Sequence, residues 1–250
     1  MSLPPFNEMN LGGHVGDQPS AVRANRELFA QTIRAHPVFL TQVHGWNVVA
    51  LSERTSDGVV ADACATVQVG LACTVMVADC LPVLFAHRKF PFVAAAHAGW
   101  RGLAGINGYG VLESVLQHIL NRASGPKAAA ELGSITQTLD PADLLVWLGP
   151  CIGPDQFEVG PEVCAAFLAT HSAAEPLFKP HANGKWLADL PGLARMRLHA
   201  LGVHHIFGND GGNRWCTVTQ SSRFFSHRRD GSRTAVAGGT GRMAAGIWIV

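Results

Sequence analysis

His44, Cys80 and His97 each belong to a segment that reads as an apolar strand followed by a tight turn: FLTQVHGWNVV, TVMVADCLPVLFA and FVAAAHAGWRG. Side chains placed just past apolar strands gather at one rim of a sheet, so two imidazoles and a thiol can converge from distant parts of the chain. Three such donors hold a divalent metal and leave one coordination position for water, which is the ligand arrangement of catalytic zinc. The same residue types also serve a metal-free chemistry, because a thiolate beside an imidazole base is a nucleophile. A plainer reading stands beside both. The chain has 12 His and 6 Cys, free cysteine is often a small core residue, and no C-x-x-C pairing marks a structural zinc site.

The neighbours of the trio extend the chemistry. Cys80 follows Asp79 at a strand end, and Pro82 keeps that edge from continuing as a regular ladder. Ala and Gly around His97 let a ligand or another backbone approach closely. Trp100 then offers an aromatic face, or simple core packing, and Arg101 a guanidinium fork suited to phosphate or carboxylate. The string RFFSHRRDG sets Arg223, His227, Arg228, Arg229 and Asp230 beside two phenylalanines, which reads either as an anion site or as a solvated hairpin edge. Cys151, in LGPCIGP, reads as a turn residue.

These residues need a scaffold. Ser20 is the expected N-cap of a helix AVRANRELFAQTI, and strands are expected at 37–43 and 47–52. LACTVMVA, PVLFA and FVAAA are apolar on both faces, as strands buried on two sides are. A helix is expected over 103–122 with Leu112, Val115, Leu116 and Ile119 on one face, and residues 123–142 read as a long loop or partly helical insertion. Beyond it come the strand DLLVWLG, the turn PCIGPDQF, helices over 160–170 and 189–201, the strand HHIFG, a Gly-rich turn after RFFSHRRDG and a terminal strand RMAAGIWIV. One α+β domain over residues 1–250, with layered mixed β-sheets flanked by helices, accounts for this order.

Composition narrows the function classes. The chain has 250 residues, 48% hydrophobic and 15% charged, and a formal net charge of +1 from 19 Lys+Arg against 18 Asp+Glu. That balance gives no electrostatic footprint for nucleic acid or anionic lipid, and no apolar run approaches the roughly 18 residues that would span a bilayer. A cytoplasmic protein with a small-molecule substrate is expected, its cysteines reduced. There is no GxSxG elbow, no Walker A loop, no dinucleotide fingerprint and no H-x-E with P-C-x-x-C. The spaced His-x-His pairs of a multicopper oxidase are also missing, since His204 and His205 are adjacent.

The strings TQVHG, ADCLPVLF, AAHAGWRG, LGPCIGPxxFEVGxEV and FFSHRRDG, in that order and preceded by MNLGGHVGD and VRANR, closely resemble the laccase-domain family. The resemblance runs from about residue 9 to 250; the family is called multicopper polyphenol oxidase in older naming and purine nucleoside phosphorylase or peptidoglycan editing factor in newer. It implies a cytoplasmic monomer with a layered fold related to toxin deamidases of the cysteine-hydrolase type. It also implies zinc rather than copper, held by His44, Cys80 and His97, which are then the catalytic centre. The implied activities are phosphorolysis of adenosine, inosine, guanosine and 5′-methylthioadenosine, and adenosine deamination. Nucleoside and phosphate are the partners, with Trp100, Arg101, Arg228 and Arg229 as candidate substrate contacts. Editing of a UDP-muramyl amino acid by amide hydrolysis is the alternative, and copper-dependent phenol oxidation ranks below both. Two departures stand out: Cys216-Thr217-Val218 replaces the CTY of many members, and the 123–142 insertion is longer than usual.

Overall fold

The computed structural model describes residues 1–124, 140–231 and 239–250. The first half of the chain folds as α1 (Pro19–Ile33), β1 (His36–Phe39), β2 (Val48–Ala50), β3 (Ala63–Thr66), β4 (Leu71–Val77), β5 (Leu81–His87), β6 (Val93–Ala98), α2 (Trp100–Ala104) and α3 (Val111–Ser124). It continues with β7 (Leu144–Leu148), β8 (Glu158–Val159), α4 (Pro161–Leu168), β9 (Phe178–Pro180), β10 (Trp186–Ala188), α5 (Leu190–Ala200), β11 (His205–Gly208), α6 (His227–Asp230) and β12 (Met243–Trp248). The result is a mixed α+β fold, with layered sheets and flanking helices as the sequence predicts.

The largest sheet has six strands in the order β11-β7-β5-β6-β3-β2, antiparallel except for the parallel pairs at its two edges, β11 with β7 and β2 with β3. A three-stranded sheet, β1-β4-β12, packs on one face of it, and α2 to α5 pack on the other. Side-chain alternation shows why. Along β6, Ala94, Ala96 and Ala98 join Leu112, Val115, Leu116 and Ile119 of α3 in one core cluster, while Val93 and Ala95 join Leu71, Cys73 and Val75 of β4 in another. β4 is buried along its whole length because its second face is covered too: Met76 packs with Leu11, Phe39 and Phe29 of α1. Burying each such Leu, Val or Phe contributes about 1.5–3 kcal/mol.

Several sequence expectations are corrected. α1 starts at Pro19 rather than after a Ser20 cap, and its N-cap Gln18 makes no side-chain bond; proline at the first helical position has no N–H to satisfy. His97 lies inside β6, not beyond it. The helix expected over 103–122 is two helices, broken at 105–110, where Gly105 has φ +65° and any Cβ at Gly105 or Gly110 would collide with backbone. The segment RFFSHRRDG is not a hairpin edge but a single helical turn, α6, capped by Ser226 Oγ accepting from Arg229 N. β8, β9 and β10 form a small antiparallel sheet that the sequence reading lacks. Of the 123–142 insertion, residues 125–139 lie outside the described residues, as do 232–238 of the Gly-rich turn.

The break between α2 and α3 is held by Arg197 of α5, only 1% exposed. Its guanidinium pairs with Glu113 at 2.7 Å and donates to the carbonyls of Leu103, Ala104 and Gly108. Removing it leaves the half-buried Glu113 carboxylate without its cation and three carbonyls without a donor. Arg197→Ala is therefore expected to lose about 3–5 kcal/mol of stability, read as a lowered urea midpoint, with Arg197→Lys falling between it and the parent protein.

Candidate functional site

The chain passes twice from the small sheet to the large one at the site. It leaves β1 of the small sheet for β2 of the large one through the loop that carries His44, and leaves β4 for β5 through Ala78-Asp79-Cys80. Both turns need left-handed backbone at non-glycine residues, His44 at φ 60° and Asp79 at φ 87°. On β6, His97 has the parity of Val93 and Ala95 and so faces the gap between the sheets. The three donors meet at the mouth of that gap. Their ligand atoms all lie within 4.8 Å of one another, with His44 Nε2 3.8 Å from Cys80 Sγ and the two imidazoles edge to face at 4.8 Å. His44 is exposed, Cys80 half-buried and His97 buried.

Asp62, fully buried, organises two of the three. Its carboxylate accepts from His97 Nδ1 at 2.8 Å and from the backbone N–H groups of Val43, His44 and Gly45 at 3.2, 2.9 and 2.7 Å. With Nδ1 engaged, Nε2 of His97 is the ring's free ligand position, the orientation a metal-binding histidine needs. Burial pushes the Asp62 carboxyl up, but the His97 hydrogen bond and charge and the loop N–H groups hold it below the usual carboxylate range. Gln42 fixes the same loop from its other side, pairing both ends of its amide with the backbone of Met76. Small residues complete the approach: a Cβ on Gly99 would stand 2.9 Å from His44 and 3.0 Å from Cys80 Sγ, and one on Gly102 would strike the Gly45 carbonyl at 2.6 Å.

Burial pushes the Cys80 thiol up, yet the neighbouring His97 charge and hydrogen bonds from His44 and His97 outweigh it and bring the thiol down to about 6. Burial lowers His97, while the Cys80 thiolate and the Asp62 bond outweigh it and raise the imidazole to about 9. Thiolate and imidazolium therefore coexist at neutral pH in the metal-free protein. Such a group can bind a divalent metal or act as a nucleophile–base pair.

The cluster opens into a cavity of about 370 Å³, within the range that takes a drug-sized or cofactor-sized molecule. Its wall includes Trp100, Phe157, Ile152 and Leu190, and its cations are Arg228 and Arg242. Asp79 joins the parts: its carboxylate accepts from Arg228 N at 2.6 Å and from Thr217 Oγ1, and its carbonyl accepts from Ile152 N at 2.9 Å.

The structure thus gathers His44, Cys80, His97, Trp100 and Arg228 around one cavity. Trp100 serves both readings, packing against the main core while lining the cavity. Arg101 lies outside the cavity lining, its guanidinium 4.5 Å over the Trp100 ring. Arg229 donates to the carbonyls of Thr217, Val218 and Phe224 and to Asp230. Sequence reasoning missed Asp62, Gln42, His14 and Arg242. Cys151 is buried in the turn, its backbone paired with that of Cys216 by an isolated parallel β-bridge, and all six cysteines are free thiols.

A family model described as multi-copper polyphenol oxidoreductase laccase matches residues 1–250. The purine nucleoside phosphorylase YfiH of Escherichia coli K12 is 43% identical over 252 residues, covering 100% of this chain and 90% of that protein. The purine nucleoside phosphorylase PA4543 of Pseudomonas aeruginosa is 45% identical over 251 residues, covering 100% and 89%. Among solved structures, Neisseria meningitidis protein NMB0706 superposes with a TM-score of 0.81 at 40% identity, over 100% of this chain and 89% of that one.

In the metal-free protein, the rate of Cys80 alkylation by iodoacetamide is expected to rise with pH through a midpoint of about 6, well below the ~8.5 of an ordinary thiol. Asp62→Asn removes the charge that favours imidazolium on His97. It should move that midpoint up and weaken metal binding by about 10–100-fold, measured by competition with a chromogenic chelator.

Proposed function

The chain belongs to the family described as multi-copper polyphenol oxidoreductase laccase, and from that premise we propose that it is a zinc-dependent purine nucleoside phosphorylase. The observation that carries the reading is three convergent donors, His44, Cys80 and His97, at a cavity with an aromatic wall and cationic side chains. The names of its relatives support it. The residues fit the metal: two imidazoles and a thiolate are a zinc donor set, and the Asp62 bond to His97 Nδ1 is the orienting contact such ligands use. Zinc bound there supplies Lewis-acid polarisation at an open coordination position.

The chain's own residues do the rest. Trp100 and Phe157 offer flat apolar faces to a purine. Phosphorolysis breaks the C1′–N9 bond through an oxocarbenium-like state, so an anionic phosphate must be held against the sugar while the base departs. Of the candidate substrate contacts Arg101, Arg228 and Arg229, Arg228 reaches the cavity; Arg101 braces Trp100 and Arg229 braces the loop around Thr217. Adenosine, inosine, guanosine and 5′-methylthioadenosine are the proposed substrates, with hydrolytic deamination of adenosine at the same site. We read residues 1–250 as one domain acting as a cytoplasmic monomer. Among the described residues no helix is long and apolar enough to cross a membrane.

One observation favours a second reading. Cys80, His97 and Asp62 align as thiolate, imidazole and orienting carboxylate, which suits hydrolysis of an amide such as that of a UDP-muramyl amino acid. Copper-dependent phenol oxidation ranks last, because among the described residues a single three-donor group gathers.

Phosphate-dependent release of hypoxanthine from inosine is the decisive assay, run beside metal analysis of the purified protein. Cys80→Ala should lower that release by about 10²–10⁴-fold, and treatment with dipicolinate should abolish it until zinc is restored. Undiminished release by Cys80→Ala overturns the reading. Cleavage of a UDP-muramyl amino acid without phosphorolysis favours the second.

A further inference from the structure

Arg242 enters the cavity wall just before β12 and is half-buried, whereas Arg228 stands exposed. Nη1 of Arg242 donates to the carbonyls of Thr240 and Gly241 at 2.8 and 3.3 Å. Among the described residues its Nε and Nη2 make no hydrogen bond and no salt bridge fixes the guanidinium, although Asp79 and Cys80 act on it from a distance. A half-buried guanidinium with two nitrogens left unbonded on a cavity wall can receive an anion in its fork.

The segment Asn10-Leu11-Gly12-Gly13-His14 holds it in place. Asn10 is fully buried; its Oδ1 accepts from Arg242 N at 2.8 Å and from Gly12 N at 2.9 Å. Leu11 N donates to the Arg242 carbonyl at 3.0 Å. A Cβ on Gly12 would stand 2.7 Å from Arg242 Cγ, so only glycine lets the aliphatic stem lie there. His14 lines the same cavity; burial and the charges of Arg242 and Arg26 lower its pKa, which leaves a neutral ring with one N–H to donate.

We propose that Arg242 and His14 form the subsite for free inorganic phosphate, an assignment that rests on the phosphorolysis reading above. Position favours free phosphate over a phosphate ester. Arg242 and His14 line the same cavity as Cys80 and His97, so an anion held there sits beside the donor cluster, whereas the Arg228 guanidinium is turned to the carbonyls of Gln156 and Glu158. From there a phosphate oxygen bonds to C1′ as the C1′–N9 bond breaks. The bonding pair leaves with the base, which takes up a proton from solvent.

Arg242→Gln, confirmed folded by its circular dichroism, is expected to raise KM for inorganic phosphate about 10- to 100-fold while KM for inosine moves less than about threefold. Arg242→Lys should fall between, because it keeps the charge but loses the fork. His14→Ala, an independent variant, should also raise KM for phosphate. On adenosine, the product ratio of Arg242→Gln should shift from adenine toward inosine. An unchanged KM for phosphate, or a KM for inosine that rises in step with it, overturns the assignment. Thermal stabilisation tests the subsite separately from turnover. Inorganic phosphate should stabilise the parent protein and not Arg242→Gln, even if no nucleoside is cleaved and the functional reading fails. Stabilisation by inosine 5′-monophosphate alone, lost in Arg242→Gln, would identify an ester subsite and overturn the proposal.

Discussion

A buried carboxylate in this fold has four hydrogen-bond donors around it, and the site depends on their meeting at one point. Asp62 takes three backbone N–H groups from the loop at 43–45 and the Nδ1 proton of His97. An ionised carboxylate shut away from water is stable only when its lone pairs are filled. Each donor therefore helps to keep the charge that orients the others. The loop folds over Asp62 with three of its amides aimed at the carboxylate, and that folding holds His44 beside Cys80. Position and charge at the site come from the same interaction.

The second constraint is architectural. Two packed sheets share a chain that passes between them, and the two passages from the small sheet to the large one leave irregular turns at the edge of the gap. His44 and Cys80 occupy those two turns, and His97 looks into the gap from the end of β6. Such turns have backbone groups that no strand satisfies, so they recruit side chains: Gln42 pairs with Met76, and Asp79 gathers Thr217, Ile152 and Arg228. The polarity of the cavity follows from the same geometry that ends the strands. Strain at Asp79, in left-handed backbone, is offset by the bonds its carboxylate makes.

Much of this was legible in the sequence, for identifiable reasons. β4, β5 and β6 are apolar on both faces and bounded by turn residues, so they announce buried strands. The three donors are chemically conspicuous and sit beside those strands. Asp62 gave no such sign, because an aspartate ahead of a strand is ordinary until a loop 17 to 19 residues earlier in the chain folds over it. Arg197, in a helix rich in basic residues, looks solvated in sequence and proves to be the most enclosed cation described. The break between α2 and α3 has its own signal in the sequence: Gly105, Gly108 and Gly110 within six residues weigh against one continuous helix. β8 to β10 are two or three residues each, too short to show any alternation.

The bond from Arg242 to Asn10 joins residues 232 positions apart. During synthesis Asn10 waits for all the residues between them before its mate leaves the ribosome. Contacts of such long sequence separation are slow to form, since the loop they close must be ordered first. The wall that carries Arg242 is thus completed later than hairpins such as β5 with β6, which close far shorter loops, and a nascent chain holds those strands before it holds a finished cavity.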